Sequence, residues 1–190
     1  DDIEHVSVDD FRKWPRDRRN KARLYRVPVD WPEKDVEIDP YWLGLWLGDG
    51  TSRRVEITTM DEVIRDYHVK YCSQFPELNL HVYSAGKGAR ASSYAFTVPK
   101  GSKVPNPMRQ RLEHYGLTKW KHSAEKFIPD DYLYNSRKVR LALFAGLMDT
   151  DGSKSRGGKC SDRKTEKCNA GTYEVTFKEE RFANQVRFLA

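Results

Sequence analysis

The chain has 190 residues, with 34 Lys+Arg against 28 Asp+Glu, a formal net charge of +6 and a pI near 9.2. That length accommodates one large or two small domains with ample core, and the basic balance favours an anionic partner such as nucleic acid. No apolar run approaches the ~20 residues of a membrane-spanning helix, no signal-peptide pattern opens the chain, and Cys72, Cys160 and Cys168 form an odd, irregularly spaced set that argues against a disulfide framework. The expectation is an intracellular protein, nuclear or cytoplasmic, neither secreted nor membrane-bound.

Residues 1–38 read as a segment of their own, a basic arm followed by a linker. Ile3 to Val8 suits a short strand. Arg12, Lys13, Arg16, Arg18, Arg19, Lys21, Arg23 and Arg26 then crowd together with Asp17 the sole acid among them and Trp14 and Tyr25 interleaved. Such a run tracks phosphates when it is more than a solvated face. Leu24 to Val29 reads as a strand, and Trp31 to Asp39, rich in acids and proline, as the linker. A helix follows: Asp39 caps it, Pro40 suits its first position and Gly50 stops it. Gly44 and Gly48 lie four apart on one face of that helix. Each costs ~1 kcal/mol against alanine, which calls for close approach by a second helix. The partner is Ser136 to Asp151, offering Ala145 and Gly146, and the two should run side by side toward their aspartate ends. Trp42 and Trp46, at helical spacing, belong to the core.

Between these helices the pattern gives a strand over Val55–Thr58, a helix over Met60–Cys72, a strand over Leu78–Ser84, a turn at Gly86–Gly88, a strand over Ser93–Val98, and a helix over Pro107–Tyr115 ended by Gly116. In Leu78–Ser84 the residues Leu78, Leu80 and Val82 point inward, leaving Asn79, His81 and Tyr83 together outside. Arg54, Glu56 and Thr58 alternate in the same way against Val55 and Ile57. A ribbon of this kind fits the major groove, with Arg54 suited to guanine and Asn79 to adenine. After Asp151 the pattern restarts. Lys154, Arg156, Lys159, Arg163, Lys164 and Lys167, set among glycine and serine, suit a hairpin tip along a duplex or a plain loop. Tyr173, Val175 and Phe177 alternate in a strand, and a helix begins near Glu179. The resulting organisation is 1–38 as arm and linker, 39–135 as a first repeat and 136–190 as a second, incomplete one. The chain opens without methionine and stops within a helix, and so reads as an excerpt of a longer protein.

The chain writes nearly the same nine residues twice. One copy is Trp42-Leu43-Gly44-Leu45-Trp46-Leu47-Gly48-Asp49-Gly50 and the other Phe144-Ala145-Gly146-Leu147-Met148-Asp149-Thr150-Asp151-Gly152. An acid in the last turn of a helix opposes the helix dipole. Two in matched contexts point to carboxylates, Asp49 and Asp151, brought together for a metal. Asp149, whose counterpart is Leu47, is expected to make a local polar contact instead. Cys160 and Cys168 have no histidines close enough for a zinc site.

The second copy closely resembles the LAGLIDADG signature of homing endonucleases, and the first resembles its variant in inteins. Leu24-Tyr25-Arg26-Val27, Thr51-Ser52 after the first copy, and Gly116-Leu117 with Lys126-Phe127-Ile128-Pro129 are also similar to the intein branch. The resemblance implies an α+β fold of pseudo-twofold αββαββα repeats with the second truncated, packed as an internal pseudo-dimer in a monomer, its sheets forming a saddle over double-stranded DNA. It implies a divalent cation, Mg2+, at Asp49 and Asp151 with Gly48 and Thr150 beside them, a catalytic Lys126, and site-specific double-strand cleavage within a protein covalently part of a host before splicing. DNA contacts are expected from Arg12, Lys13, Arg16, Arg18, Arg19, Arg54, Asn79, His81, Tyr83, Lys154, Arg156 and Arg163. The alternatives are an inactive nucleic-acid-binding or structural insertion in a splicing element, or an RNA maturase. The terminal residues that splicing inteins carry are absent, and the second repeat's lysine is expected beyond Ala190, so residues 1–190 alone are expected to be catalytically impaired.

Overall fold

Ser7 turns the chain into its first helix. The computed structural model describes residues 3–23, 29–51, 53–84, 90–118, 126–154 and 173–190, and divides into two units, Asp1–Asp30 and Trp31–Ala190. In the smaller unit, α1 (Val8–Lys13) starts where the Ser7 hydroxyl accepts from the Asp10 amide at 3.1 Å, and α2 (Arg16–Lys21) follows Pro15. The strand expected at Ile3–Val8 does not form. Residues 3–7 are irregular, and a serine cap with Asp9 and Asp10 in the first turn favours a helix over a weak alternation. The strand expected over Leu24–Val29 and the turn at Gly86–Gly88 fall largely or wholly outside the described residues.

The larger unit is α+β. Its elements are α3 (Pro40–Asp49), β1 (Glu56–Thr59), α4 (Glu62–Cys72), β2 (Asn79–Tyr83), β3 (Ser92–Thr97), α5 (Pro107–His114), α6 (Asp130–Leu133), α7 (Arg137–Asp151), β4 (Gly152–Lys154), β5 (Tyr173–Val175) and α8 (Glu180–Leu189). The strands form two antiparallel sheets, β1-β3-β2 and β4-β5. Ahead of β1, an isolated antiparallel bridge joins Gly50 to Ile57. Among the described residues, no helix is long and apolar enough to cross a membrane.

The two helices that carry the repeated motif form the centre. Asp39 caps α3 through the Trp42 amide at 2.9 Å, with Pro40 in its first turn, and Ser136 caps α7. Trp42 through Leu47 are all buried, so α3 is enclosed on every side, whereas α7 buries Val139, Leu143, Gly146 and Leu147 on one stripe. The glycines are required by contact. A Cβ on Gly44 would overlap the Leu143 carbonyl and lie 3.0 Å from the Gly146 Cα, and one on Gly146 would overlap the Tyr41 carbonyl and lie 2.8 Å from the Leu45 nitrogen. Gly48 faces the Thr150 side chain. These contacts advance together along both helices, which therefore run parallel toward Asp49 and Asp151. Ala145, expected at this seam, is exposed: it is turned about 100° from Gly146 around the helix.

The extended segment 31–39 is held by side chains. Asn135 bonds both the Lys34 amide and its carbonyl at 3.0 Å, and the buried Ile38 backbone finds its partners in the Tyr132 hydroxyl, which accepts from the Ile38 amide at 3.2 Å and donates to its carbonyl at 2.8 Å. Tyr71 and Tyr115 accept from the Asp39 and Glu37 amides. The segment is thereby packed onto the larger unit ahead of α3. α4 lays Ile64, His68, Tyr71 and Cys72 onto the core beneath the sheet. Gly116, at φ 72°, takes the left-handed conformation that ends α5. α6, a single turn after Pro129, has no counterpart among the elements expected from the sequence.

Candidate active site

Both motif helices end in the same way. The Gly50 amide donates to the Trp46 carbonyl and the Gly152 amide to that of Met148, so Asp49 and Asp151 occupy the last helical position in each case. Neither glycine has positive φ. Each is needed for room instead, because a Cβ would strike Trp46 in the first case and Met148 in the second. Parallel packing then delivers the two carboxylates to one end of the helix pair. They feel each other: burial first, then the Asp151 charge, push the Asp49 carboxyl above the usual carboxylate range, with Lys126 opposing. Burial raises Asp151 as well, again against Lys126. Both residues are partly desolvated at this end of the helix pair and still reach solvent.

Lys126 completes the cluster. It arrives from the segment before α6, and its ammonium donates to the Leu47 carbonyl at 2.6 Å and the Gly48 carbonyl at 2.7 Å. These are among the last carbonyls of α3, which have no partner inside the helix. Burial lowers the Lys126 pKa, while Asp151 and Asp49 work to keep it charged. Thr150 does not reach outward. Its hydroxyl lies 3.2 Å from the Gly146 carbonyl and 3.1 Å from that of Leu147, against Gly48. Asp149 makes the local contact expected of it, accepting from the Tyr41 hydroxyl at 2.7 Å. Tyr41 carried no signal in the sequence for this role, which ties the start of α3 to the last turns of α7.

The donor set consists of oxygen atoms: two carboxylates and helix-end carbonyls. That composition suits a hard divalent cation such as Mg2+, which keeps several waters and takes one or two protein carboxylates with phosphate oxygens. Among the described residues no group of three His, Cys, Asp or Glu stands together, so no closed protein cage for a metal is formed there. A hollow of about 570 Å³ between α6 and α8, lined by Asp130, Leu133, Tyr134, Glu180, Arg181 and Phe188 among others, contains neither Asp49, Asp151 nor Lys126.

The larger sheet brings Asn79, His81 and Tyr83 to one face, as expected, but not Arg54 and only in part Glu56. Glu56, Ala95 and His81 align across the strands, as do Thr58, Ser93 and Tyr83, while Ile57, Phe96 and Leu80 belong to the opposite, core-facing side. Asn79, His81 and Tyr83 are exposed. Val82, expected inward, is 47% exposed, because β2 is an edge strand and only its start packs on the core. Arg54 lies just before β1, not on it, with its guanidinium 5.0 Å from the Tyr83 ring centre and 3.7 Å from the Glu56 carboxylate. Glu56, expected on an open face, is buried and also accepts from the Thr51 hydroxyl at 3.2 Å. Lys154 on β4 lies 5.4 Å from the Tyr173 ring centre. Arg156 and Arg163, with Cys160 and Cys168, lie outside the described residues.

In the smaller unit, Arg18 is engaged locally. It grips Glu4 through two hydrogen bonds of 2.8 and 3.1 Å and stacks 3.8 Å over Trp14. Lys13 pairs with Asp10 at 2.9 Å. Arg12, Arg16 and Arg19 are exposed.

No protein-family model matches the chain. The replicative DNA helicase DnaB of Mycobacterium intracellulare is similar to it, 33% identical over 143 residues that make up 75% of this chain and 19% of the helicase. The chain thus spans about a fifth of the length of that relative, and the similarity is to a segment of a DNA-helicase polypeptide.

Proposed function

We propose that the chain is the DNA-cleaving part of an intein inserted in a DnaB-like host, a LAGLIDADG-type homing endonuclease hydrolysing phosphodiester bonds with Mg2+. The observation that carries this reading is the convergence of Asp49, Asp151 and Lys126 at the ends of two parallel, glycine-packed helices. A similarity confined to 19% of a helicase fits a segment inserted in such a host. Asp49 and Asp151 would hold the cation through oxygen, with the Gly48 carbonyl beside them. A divalent cation there supplies charge stabilisation on the phosphate and lowers the pKa of a bound water. Lys126 adds positive charge where negative charge develops on the phosphate. The basic residues Arg12, Arg16 and Arg19 supply salt-dependent affinity, and Asn79, His81 and Tyr83 on the sheet face, with Arg54 beside Tyr83, read base edges.

The test uses the full-length parent carrying this segment and a supercoiled plasmid bearing an uninterrupted dnaB coding sequence. Mg2+-dependent linearisation at one position supports the proposal. No cleavage with Mg2+ or Mn2+, together with equal affinity for this and unrelated DNA, overturns it.

A further inference from the structure

The amine of Lys126 stands where a cation is wanted. It lies 2.7 Å from the Gly48 carbonyl oxygen and 2.6 Å from that of Leu47, and both Asp49 and Asp151 interact with it electrostatically. The Gly48 carbonyl that holds the ammonium is the one next to Asp49 in the donor set described above for the metal. A dication held by Asp49, Asp151 and the Gly48 carbonyl would compete with the ammonium for that carbonyl and repel it.

We propose that Lys126 is a built-in surrogate cation: it neutralises the Asp49–Asp151 pair before metal binds, and metal arrival displaces its ammonium from the Leu47 and Gly48 carbonyls toward the substrate phosphate. This rests on the metal reading given under the proposed function and adds an order of events to it. Without metal, the lysine relieves the repulsion between two acids placed at unfavourable helix ends. With metal, the same amine is released to face the scissile phosphate, so substrate-directed positive charge appears only when the cation is in place.

Two measurements on the intact chain test it. Mg2+ binding is titrated calorimetrically in the wild type and in Lys126→Met. Removing the competing charge is expected to tighten Mg2+ binding about tenfold. In parallel, the wild-type Lys126 side-chain ammonium is followed by 15N-correlated NMR at low temperature, assigned by its absence from Lys126→Met. Its protected signal should be present without metal and disappear at stoichiometric Mg2+. Persistence of that signal at saturating Mg2+, or equal or weaker binding in Lys126→Met, overturns the surrogate role and leaves the metal site standing. Absence of Mg2+ binding in both proteins overturns the metal reading together with it.

Discussion

His68 makes the stability of the larger unit depend on pH in a way that can be worked out in advance. The Trp42 indole nitrogen donates to His68 Nδ1 at 2.9 Å, and Nε2 lies 2.9 Å from the Tyr94 carbonyl. An indole N–H can only donate, so Nδ1 is the acceptor and Nε2 carries the proton. The ring is 1% exposed and stacked 4.2 Å from Phe96. A second proton would have to sit on Nδ1, facing the Trp42 N–H, in a buried site. Burial accordingly lowers the His68 pKa from 6.5 to about 4, against the hydrogen bond to Tyr94. The unfolded chain therefore binds a proton that the folded chain refuses between those two values. Stability is fully present above the unfolded pKa and declines as pH falls toward the folded one. Between about pH 7.5 and about pH 4.5 the loss assigned to this one residue is about 2.5 kcal/mol. The assay is urea denaturation across that range in the wild type and in His68→Gln. The Gln amide keeps one acceptor and one donor but does not titrate. Other acids contribute equally to both proteins, so the difference between the two curves isolates His68. Parallel curves would refute a neutral, proton-excluding His68.

Gly146→Ala should gain ~1 kcal/mol of helix propensity yet lose more to the clash with the Tyr41 carbonyl and the Leu45 nitrogen, for a net destabilisation of ~1–3 kcal/mol in chemical denaturation. A stabilised variant would mean that α3 and α7 separate freely. Combined Arg12→Ala, Arg16→Ala and Arg19→Ala should flatten the salt dependence of DNA binding by roughly one unit for each phosphate no longer neutralised. Arg18→Ala, with its guanidinium already taken by Glu4 and Trp14, should leave that slope unchanged, and the opposite ranking would reverse the assignment. Arg54→Ala should relax base preference at one target position by ~1–3 kcal/mol in a binding profile over single-base variants. A uniform loss over all variants would make Arg54 a phosphate contact.

The parts of the fold written in local chemistry were legible from the sequence. Asp39-Pro40 and Ser136 fix where the motif helices begin, and Gly44 and Gly146 announce a close crossing because their cost inside helices needs compensation. Asp149 could be set aside from Asp49 and Asp151 by comparing the two copies, and its bond to Tyr41 agrees. What escaped depends on partners distant in sequence. Nothing near Lys126 indicates that it reaches the Leu47 and Gly48 carbonyls; only the family resemblance singled it out. Arg18 looked like its basic neighbours until Glu4 and Trp14 folded against it. Ala145 and Val82 were misplaced for geometric reasons: the first is one helical step off the seam, and the second lies where an edge strand outruns the core. The segment 31–39 reads as a linker because its partners are tyrosines and an asparagine far along the chain, which no local pattern reports.

The most direct measurement of the proposed chemistry compares Asp49→Asn and Asp151→Asn with the wild type in the full-length parent, scoring cleavage and affinity on the same target DNA with Mg2+. Each substitution keeps the shape of the helix end while removing one negative oxygen donor. Two carboxylates serving one metal-dependent reaction predict that each single variant loses double-strand cleavage while binding the target as tightly as the wild type. Normal cleavage of both strands by either variant would contradict that role for Asp49 and Asp151.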